Sequence, residues 1–475
     1  MNDLLFMSAV EQARLIRSCE LNPEDLVVAY LEQIARLDPE LNAFVTIAAE
    51  EALGEAKKAG EAAAAGGELP PFCGVPIPIK DLTETRGVRT TFSTATLARF
   101  VPDYDAYVVR RIKRAGFIVI GKTNTPELGT IPMTESDLNG VCRNPWDTQR
   151  TPGGSSGGAA VAVATGMAPL AHGSDGGGSV RIPASCCGLF GIKPARGRVS
   201  SGPRVGESIA GFSSSGPIAR SVADAAALLD VMSGYEVGDP CWAPEPIRPF
   251  AEETQAEPGR LRIAFTVQAP TGVPVDPECV AAARDAAGLL ESLGHDVFEA
   301  APDWEAPEVA PLFIKIWQTL AANTGFDDPS VFEPVNRALT ESAFSTSSIE
   351  YIRALTELHR LSRRVVAFWD DVDVLLTPTL ALPPVEVGWI REQESDPWAQ
   401  LMKAGFWVAF TPMFNMTGQP AVSVPLFWNE AGLPIGVQLA GRPAGEATLI
   451  RLSAQLERAR PWAHRIPPAY ARPSR

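Results

Sequence analysis

The sequence predicts an α/β fold, a mixed β-sheet core covered by helices on both faces. Two observations carry that reading. Short apolar runs of strand character alternate with longer segments of helical period through most of the chain. Apolar residues make up 45% of the 475 residues, enough for a sizeable core. Length alone allows two or three domains, or one large α/β domain with insertions. No internal repeat is visible.

The N-terminus reads as helices. In "NPEDLVVAYLEQIARL", Asn22 is the expected N-cap and Pro23 the first helical residue. Leu26, Val27, Tyr30, Leu31 and Ile34 then recur at helical spacing. The alanine-rich "EEALGEAKKAGEAAAAGGE" reads as a solvent-facing helix that frays into a loop. The period then changes. "GVPIPIK" and "FIVIGK" read as strands, with "DAYVVRRIKRAG" as a helix between them. "SVADAAALLDVMSG" is a capped helix, "LRIAFTV" a strand and "DPECVAAARDAAGLLESLG" a helix. "SIEYIRALTELHRLSRRVVAFW" is a long helix followed by the strand "VDVLLTP". From about 300 to 410 the composition shifts. Trp304, Trp317, Trp369, Trp389, Trp398 and Trp407 fall there, with proline-rich connections. Most of these tryptophans are expected in a core and some in a pocket wall.

Charge and composition exclude several functions. The net charge of −15 repels phosphate backbones, which argues against nucleic acid as a partner. No apolar run is long enough to span a bilayer, so no membrane partner is expected. The start "MNDLLFMSAVEQARL" lacks the basic region of a signal peptide. The seven cysteines are odd in number and scattered, as free thiols in a reducing, cytoplasmic setting would be. The four histidines are far apart, so no zinc motif is present and no metal is expected.

The chemistry turns on "TPGGSSGGAAVAVATG", Thr151 to Gly166. It is too short, and too quickly followed by an apolar run, to be a linker. A phosphate-binding loop needs a lysine that is missing here. Gly153–Gly157 matches a nucleophile elbow, yet the preceding "RNPWDTQRTP" is no central strand. Two further stretches bear on it. In "GVPIPIKDLTE", Lys80 ends an apolar run. It is either a strand-end lysine reaching for water or a base whose pKa burial has lowered. In "HGSDGGGSVRIPASCCG", Gly176, Gly177 and Gly178 precede Ser179. Such glycines make a tight turn, and they also let successive N–H groups face one anion. Together the stretches hold a base candidate, two hydroxyls and an oxyanion cradle.

These stretches, with the later "GLPIGVQLAG", resemble the amidase signature family over nearly the whole chain, most strongly from Gly74 to Pro194. The resemblance implies a single domain, 1–475, with a helical region at 1–65, a core at 74–194 and a substrate-shaping insertion at 300–410. It implies hydrolysis of C–N bonds by a Ser–cis-Ser–Lys triad. Ser179 would be the nucleophile, Ser155 the relay behind a cis peptide, and Lys80 the base. The N–H groups of Gly176, Gly177, Gly178 and Ser179 would hold the oxyanion. Asp175 and Arg181 would be the supporting network, although an ordinary surface ion pair fits them equally from sequence. No cofactor is implied.

In character the chain resembles bacterial aryl acylamidases, urethanases and cyclic-dimer hydrolases. Thr130 stands where the cyclic-dimer enzymes carry Asn, which argues against that substrate. Thr130, Ile131 and Met133 are small or apolar and are expected to contact substrate. The expected partner is a small hydrophobic amide, aryl in type, or a carbamate, and the expected state a monomer or homodimer. Alternatives are a nylon-oligomer amidase, and the glutaminase subunit of a tRNA-dependent amidotransferase.

Overall fold

The computed structural model describes residues 2–305, 309–391, 395–468 and 470. Among these, eleven strands form one sheet. They are β1 (Phe44–Ile47), β2 (Pro76–Lys80), β3 (Ile118–Thr123), β4 (Leu170–Asp175), β5 (Phe190–Lys193) and β6 (Ser214–Ala219), then β7 (Arg262–Phe265), β8 (Asp296–Glu299), β9 (Val374–Pro378), β10 (Ala421–Trp428) and β11 (Pro434–Gly441). Their order across the sheet is β1-β3-β2-β4-β6-β5-β10-β11-β9-β7-β8. β2 runs parallel to both neighbours, while β4, β6, β5 and β10 alternate in direction. The sheet is therefore mixed, as expected.

Helices lie on both faces and bury two large apolar clusters. One takes Ile77 and Ile79 of β2, the other Ile118 and Ile120 of β3 with the wholly buried helix Gly157–Ala164. Strand side chains alternate between faces, so Lys80 points away from Ile79. That places its ammonium group on the side of the Gly/Ser stretch. The two prolines of β2 are tolerated because its ladder is irregular there. The register shifts between Ile77 and Pro78, and only Ile79 pairs with β4, through His172.

Local signals act as read. Asn22 Oδ1 accepts from Glu24 N at 2.9 Å at the head of the helix Pro23–Leu41. Ser221 Oγ accepts from Asp224 N at 3.1 Å before Val222–Met232. Two departures are informative. The 1–65 region is not helical throughout: Phe44–Ile47 forms the edge strand β1, which pairs with β3. Four residues at an edge leave too little alternation to see. The sequence also gave no strand signal for "LAHGSD", "FGIK" or "SSGPIA", which are β4, β5 and β6. These strands are buried nearly throughout and carry Gly, Pro, His and Asp, residues that mask both periodicity and propensity. The 300–410 segment supplies the helices Val309–Trp317, Pro334–Ser345, Ser348–Val366 and Pro397–Trp407. Residues 306–308 and 392–394 within it, and 471–475 at the end of the chain, lie outside the described residues.

Mid-sheet packing is tight enough to test. A Cβ at Gly216 on β6 would lie 2.0 Å from the Ile192 carbonyl oxygen on β5. Gly216→Ala is expected to cost about 1–3 kcal/mol in urea unfolding, because neither strand can retreat. An unchanged midpoint and slope would contradict this packing.

Candidate active site

Three chain segments converge where β2 and β4 end. β2 delivers Lys80, fully buried. The loop before the helix Gly157–Ala164 delivers Ser155, and the Gly154–Ser155 peptide is cis. The loop after β4 delivers Ser179, just before the helix Arg181–Cys187. Lys80 Nζ lies 2.7 Å from Ser155 Oγ and donates to the Ser174 carbonyl at 3.3 Å. Ser156 N donates to the Ser179 carbonyl at 3.2 Å, locking the two serine loops together. Gly154 is pressed flat against the 132–133 backbone. A Cβ there would lie 2.9 Å from Met133 N.

Lys80 is one of three fully buried lysines compared in this region, and its partner rather than its burial separates it from the other two. Burial pushes its pKa down to about 7, with Asp175 pulling it partly back up. Lys122 is lowered to about 8 and Lys193 to about 7, also by burial. Lys122 Nζ bonds to the Thr83 carbonyl and to Thr90 Oγ1, and Lys193 Nζ to the Pro194 carbonyl. Of these three amines, Lys80 is the one set against a serine hydroxyl.

Asp175 and Arg181 are both fully buried, so the surface ion-pair reading is overturned. Asp175 Oδ1 accepts from Gly178 N at 2.8 Å, Arg181 Nη2 at 2.8 Å and Asn415 Nδ2 at 2.9 Å. Oδ2 accepts from Val180 N at 3.1 Å and Arg181 Nε at 3.0 Å. Burial alone would raise this carboxyl; the guanidinium and amide donors outweigh it and hold it below the usual carboxylate range. The remaining Arg181 donors reach the Thr411 carbonyl, Gln438 Oε1 and Asn415 Oδ1. Gly178, at φ +128°, lies so close to Thr411 that a Cβ would sit 2.2 Å from its hydroxyl.

The Gly178 amide is thus committed to Asp175, which corrects the expected four-amide cradle. The amides of Gly176, Gly177 and Ser179 remain for an anion. Thr411, Asn415 and Gln438 escaped the sequence reading, being more than 200 residues from Asp175. The signal for Asn415 was a lone amide in the apolar run "FTPMFNM".

Ser179 and Gly177 open onto a cavity of about 460 Å³ with mostly apolar walls. Thr130 and Ile131 line it. Met133 does not. Its side chain packs with Ile182, Cys186 and Trp407 in the core beneath, because the backbone at this position faces Gly154. Of the six tryptophans, Trp317 lines the cavity. Trp304 and Trp369 fill a core, and Trp407 joins Met133. Phe212, Phe313 and Trp317 stack in series, with centroids 5.9 and 5.3 Å apart. Trp317 Nε1 donates to the Thr130 carbonyl at 3.1 Å.

A family model described as Amidase matches residues 25–450. The chain belongs to the amidase family. It is 38% identical over 488 residues to the 6-aminohexanoate-cyclic-dimer hydrolase of Paenarthrobacter ureafaciens, covering 98% of this chain and 97% of that protein. A solved structure of 6-aminohexanoate cyclic dimer hydrolase matches with TM-score 0.92 at 36% identity, covering 98% and 99% of the two chains. A bacterial aryl acylamidase structure matches with TM-score 0.87 at 26% identity, over 96% and 97%. The protein is accordingly an amidase, a hydrolase of C–N bonds.

The different placements of Ile131 and Met133 yield a test. Ile131→Val is expected to change the ratio of anilide to small aliphatic amide hydrolysis at a stability cost of about 0.5–1.5 kcal/mol. Met133→Ala should cost about 2–5 kcal/mol and leave that ratio where it was. The reverse pattern in paired kinetics and melts would place the wall elsewhere.

Proposed function

We propose that this amidase cleaves amides of apolar, aryl-type acyl groups through an acyl-Ser179 intermediate, with carbamates as a related substrate. The observation that carries it is the fully buried Lys80 amine, 2.7 Å from Ser155 Oγ, beside an apolar cavity onto which Ser179 opens. A serine hydroxyl needs a base, and a lysine serves only when neutral. Neutral Lys80 takes the Ser155 proton as Ser155 takes that of Ser179. Ser179 Oγ then bonds to the carbonyl carbon. The oxyanion forms against the amides of Gly176, Gly177 and Ser179, donors of a kind worth about 2.7–4 kcal/mol each where tested. The C–N bond breaks as the proton returns through Ser155 to nitrogen. The amine leaves, and water gives up a proton by the same route while attacking the ester. The Ser179–acyl bond breaks as that proton returns through Ser155 to Ser179 Oγ, and the carboxylic acid departs.

The aryl preference is supported by the Phe313–Trp317 stack on the cavity wall. Carbamates fit the same steps because they too carry nitrogen on the far side of the attacked carbonyl. A second reading, an amidase for aminohexanoate-type aliphatic amides, is favoured by the likeness to the cyclic dimer hydrolase. One panel of benzamides, amides of aliphatic acids, the cyclic dimer and aryl carbamates ranks these by kcat/KM.

The pH profile checks the base. Activity needs the unprotonated amine, so kcat/KM is expected to rise with pH through an apparent group near 7 and then level. Lys80→Ala should lose about 10²-fold or more while melting as a folded protein. A Lys80→Ala enzyme of undiminished kcat/KM would remove lysine from the mechanism.

A further inference from the structure

One hydroxyl beside the glycine loop takes no part in the proton transfers. Thr411 stands at the head of the helix Pro412–Met416. A threonine there commonly accepts from an amide of its own helix. This one does not. Its backbone is already helical, at φ −79° and ψ −38°, and its side chain caps nothing. The hydroxyl turns instead to the loop after β4, where Oγ1 donates to the Gly177 carbonyl at 2.7 Å. The Val408 carbonyl, at 3.3 Å, is the longer alternative for the same hydrogen. Thr411 is fully buried, whereas the next two residues, Pro412 and Met413, line the apolar cavity. The threonine thus holds the loop without lining the cavity.

The N–H and carbonyl of a trans peptide point in opposite directions in one plane, so holding either end sets the other. The loop is held in this way at three peptides. The Asp175 carbonyl accepts from Asn415 Nδ2 at 2.9 Å, which sets the direction of Gly176 N. The Gly178 carbonyl accepts from Ile182 N at 2.7 Å, which sets that of Ser179 N. The peptide between Gly177 and Gly178 is gripped at both ends, its carbonyl by Thr411 and its N–H by Asp175 Oδ1 at 2.8 Å. Three successive glycines make a peptide cheap to turn over. A turn of the 177–178 peptide would swing its carbonyl away from Thr411 and misdirect the Gly177 and Ser179 amides that flank it. A side chain at 178 cannot stiffen the loop, because a Cβ there would lie 2.2 Å from Thr411 Oγ1.

We propose that Thr411 is a positioning residue for the oxyanion. Its hydroxyl fixes the Gly177–Gly178 peptide so that the Gly177 and Ser179 amides point to where charge develops on the substrate carbonyl. In the proposed function, on which this inference rests, those amides receive the oxyanion. Thr411 itself touches no substrate atom and moves no proton.

The test compares Thr411→Ser with Thr411→Ala. Both lose the γ-methyl, and only serine keeps the hydroxyl. Each is assayed for kcat and KM on the amide that ranks first in the substrate panel, and for inhibition by phenylboronic acid. The boron of that reagent bonds to Ser179 Oγ and leaves one oxygen in the oxyanion's place. Thr411→Ala is expected to lose about 10-fold to 100-fold in kcat, less than deletion of a donor costs. Its KM should hold, as for an interaction made only in the transition state, and its inhibition constant for phenylboronic acid should rise in step with the loss of kcat. Thr411→Ser should stay near the native enzyme in all three. A purely structural role would lower the melting temperature and leave kcat alone. Thr411→Ala with native kcat, or Thr411→Ser as slow as Thr411→Ala, overturns the assignment. Should Thr411→Ala not fold, Thr411→Val, which fills the same volume without a hydroxyl, takes its place with the same expected loss. Phenylboronic acid that inhibits Ser179→Ala as well as it binds the native enzyme would count against the Ser179 mechanism, and the role of Thr411 would fall with it.

Discussion

The buried pair of Asp175 and Arg181 is the interaction on which the site depends. A buried ion pair is costly unless every lone pair and proton finds a partner. Here Arg181 spends its side-chain N–H groups on Asp175, Thr411, Asn415 and Gln438. Asp175 uses its remaining capacity on the amides of Gly178 and Val180, which fixes the loop that presents Ser179. Asn415 Nδ2 closes the network through the Asp175 and Phe212 carbonyls. One pair thereby joins the end of β4, the helix Arg181–Cys187, the helix Pro412–Met416 and β11. The same carboxylate charge acts on Lys80, opposing the burial that lowers its pKa. Loop shape and base strength share a cause.

Burial is the second constraint. β2 holds a fully buried lysine at its end, with Ile77 and Ile79 packed into the core on the opposite face. Desolvation lowers this amine toward neutrality, which is what the proposed mechanism requires of a lysine standing where a histidine base stands elsewhere. His172 is no substitute. Burial, with Lys122 and Lys80 near, drives its pKa down to about 3, and its Nε2 is engaged with Ser215 Oγ at 3.2 Å.

Lys80, Ser155 and Ser179 were legible as candidates because each sits in a short motif whose glycines or apolar neighbours have a chemical reason, and the family resemblance supplied the role proposed for each. The fold class was legible from the alternation of strands and helices. β4 to β6 were not, since strands built around a catalytic loop trade periodicity for His, Asp and Gly. Met133 was misplaced for a related reason. Adjacency to Ile131 says nothing about which side of an irregular loop a residue faces, and the flat contact with Gly154 decides that. Gly178 was placed among the oxyanion donors because its amide is indistinguishable in sequence from those of its neighbours; only the position of the Asp175 carboxylate removes it. Thr411, Asn415 and Gln438 lie beyond any local pattern. Trp317 was legible as one of six candidates and separated from the rest only by packing.

In the proposed mechanism Ser179, rather than the hydroxyl nearest the lysine, carries the acyl group. Brief exposure to a fluorophosphonate, followed by intact mass and peptide mapping, measures it directly. A single adduct on Ser179 that disappears in Ser179→Ala is the expected result. An adduct on Ser155 that persists in that variant would contradict it and assign the nucleophile to the loop before the helix Gly157–Ala164.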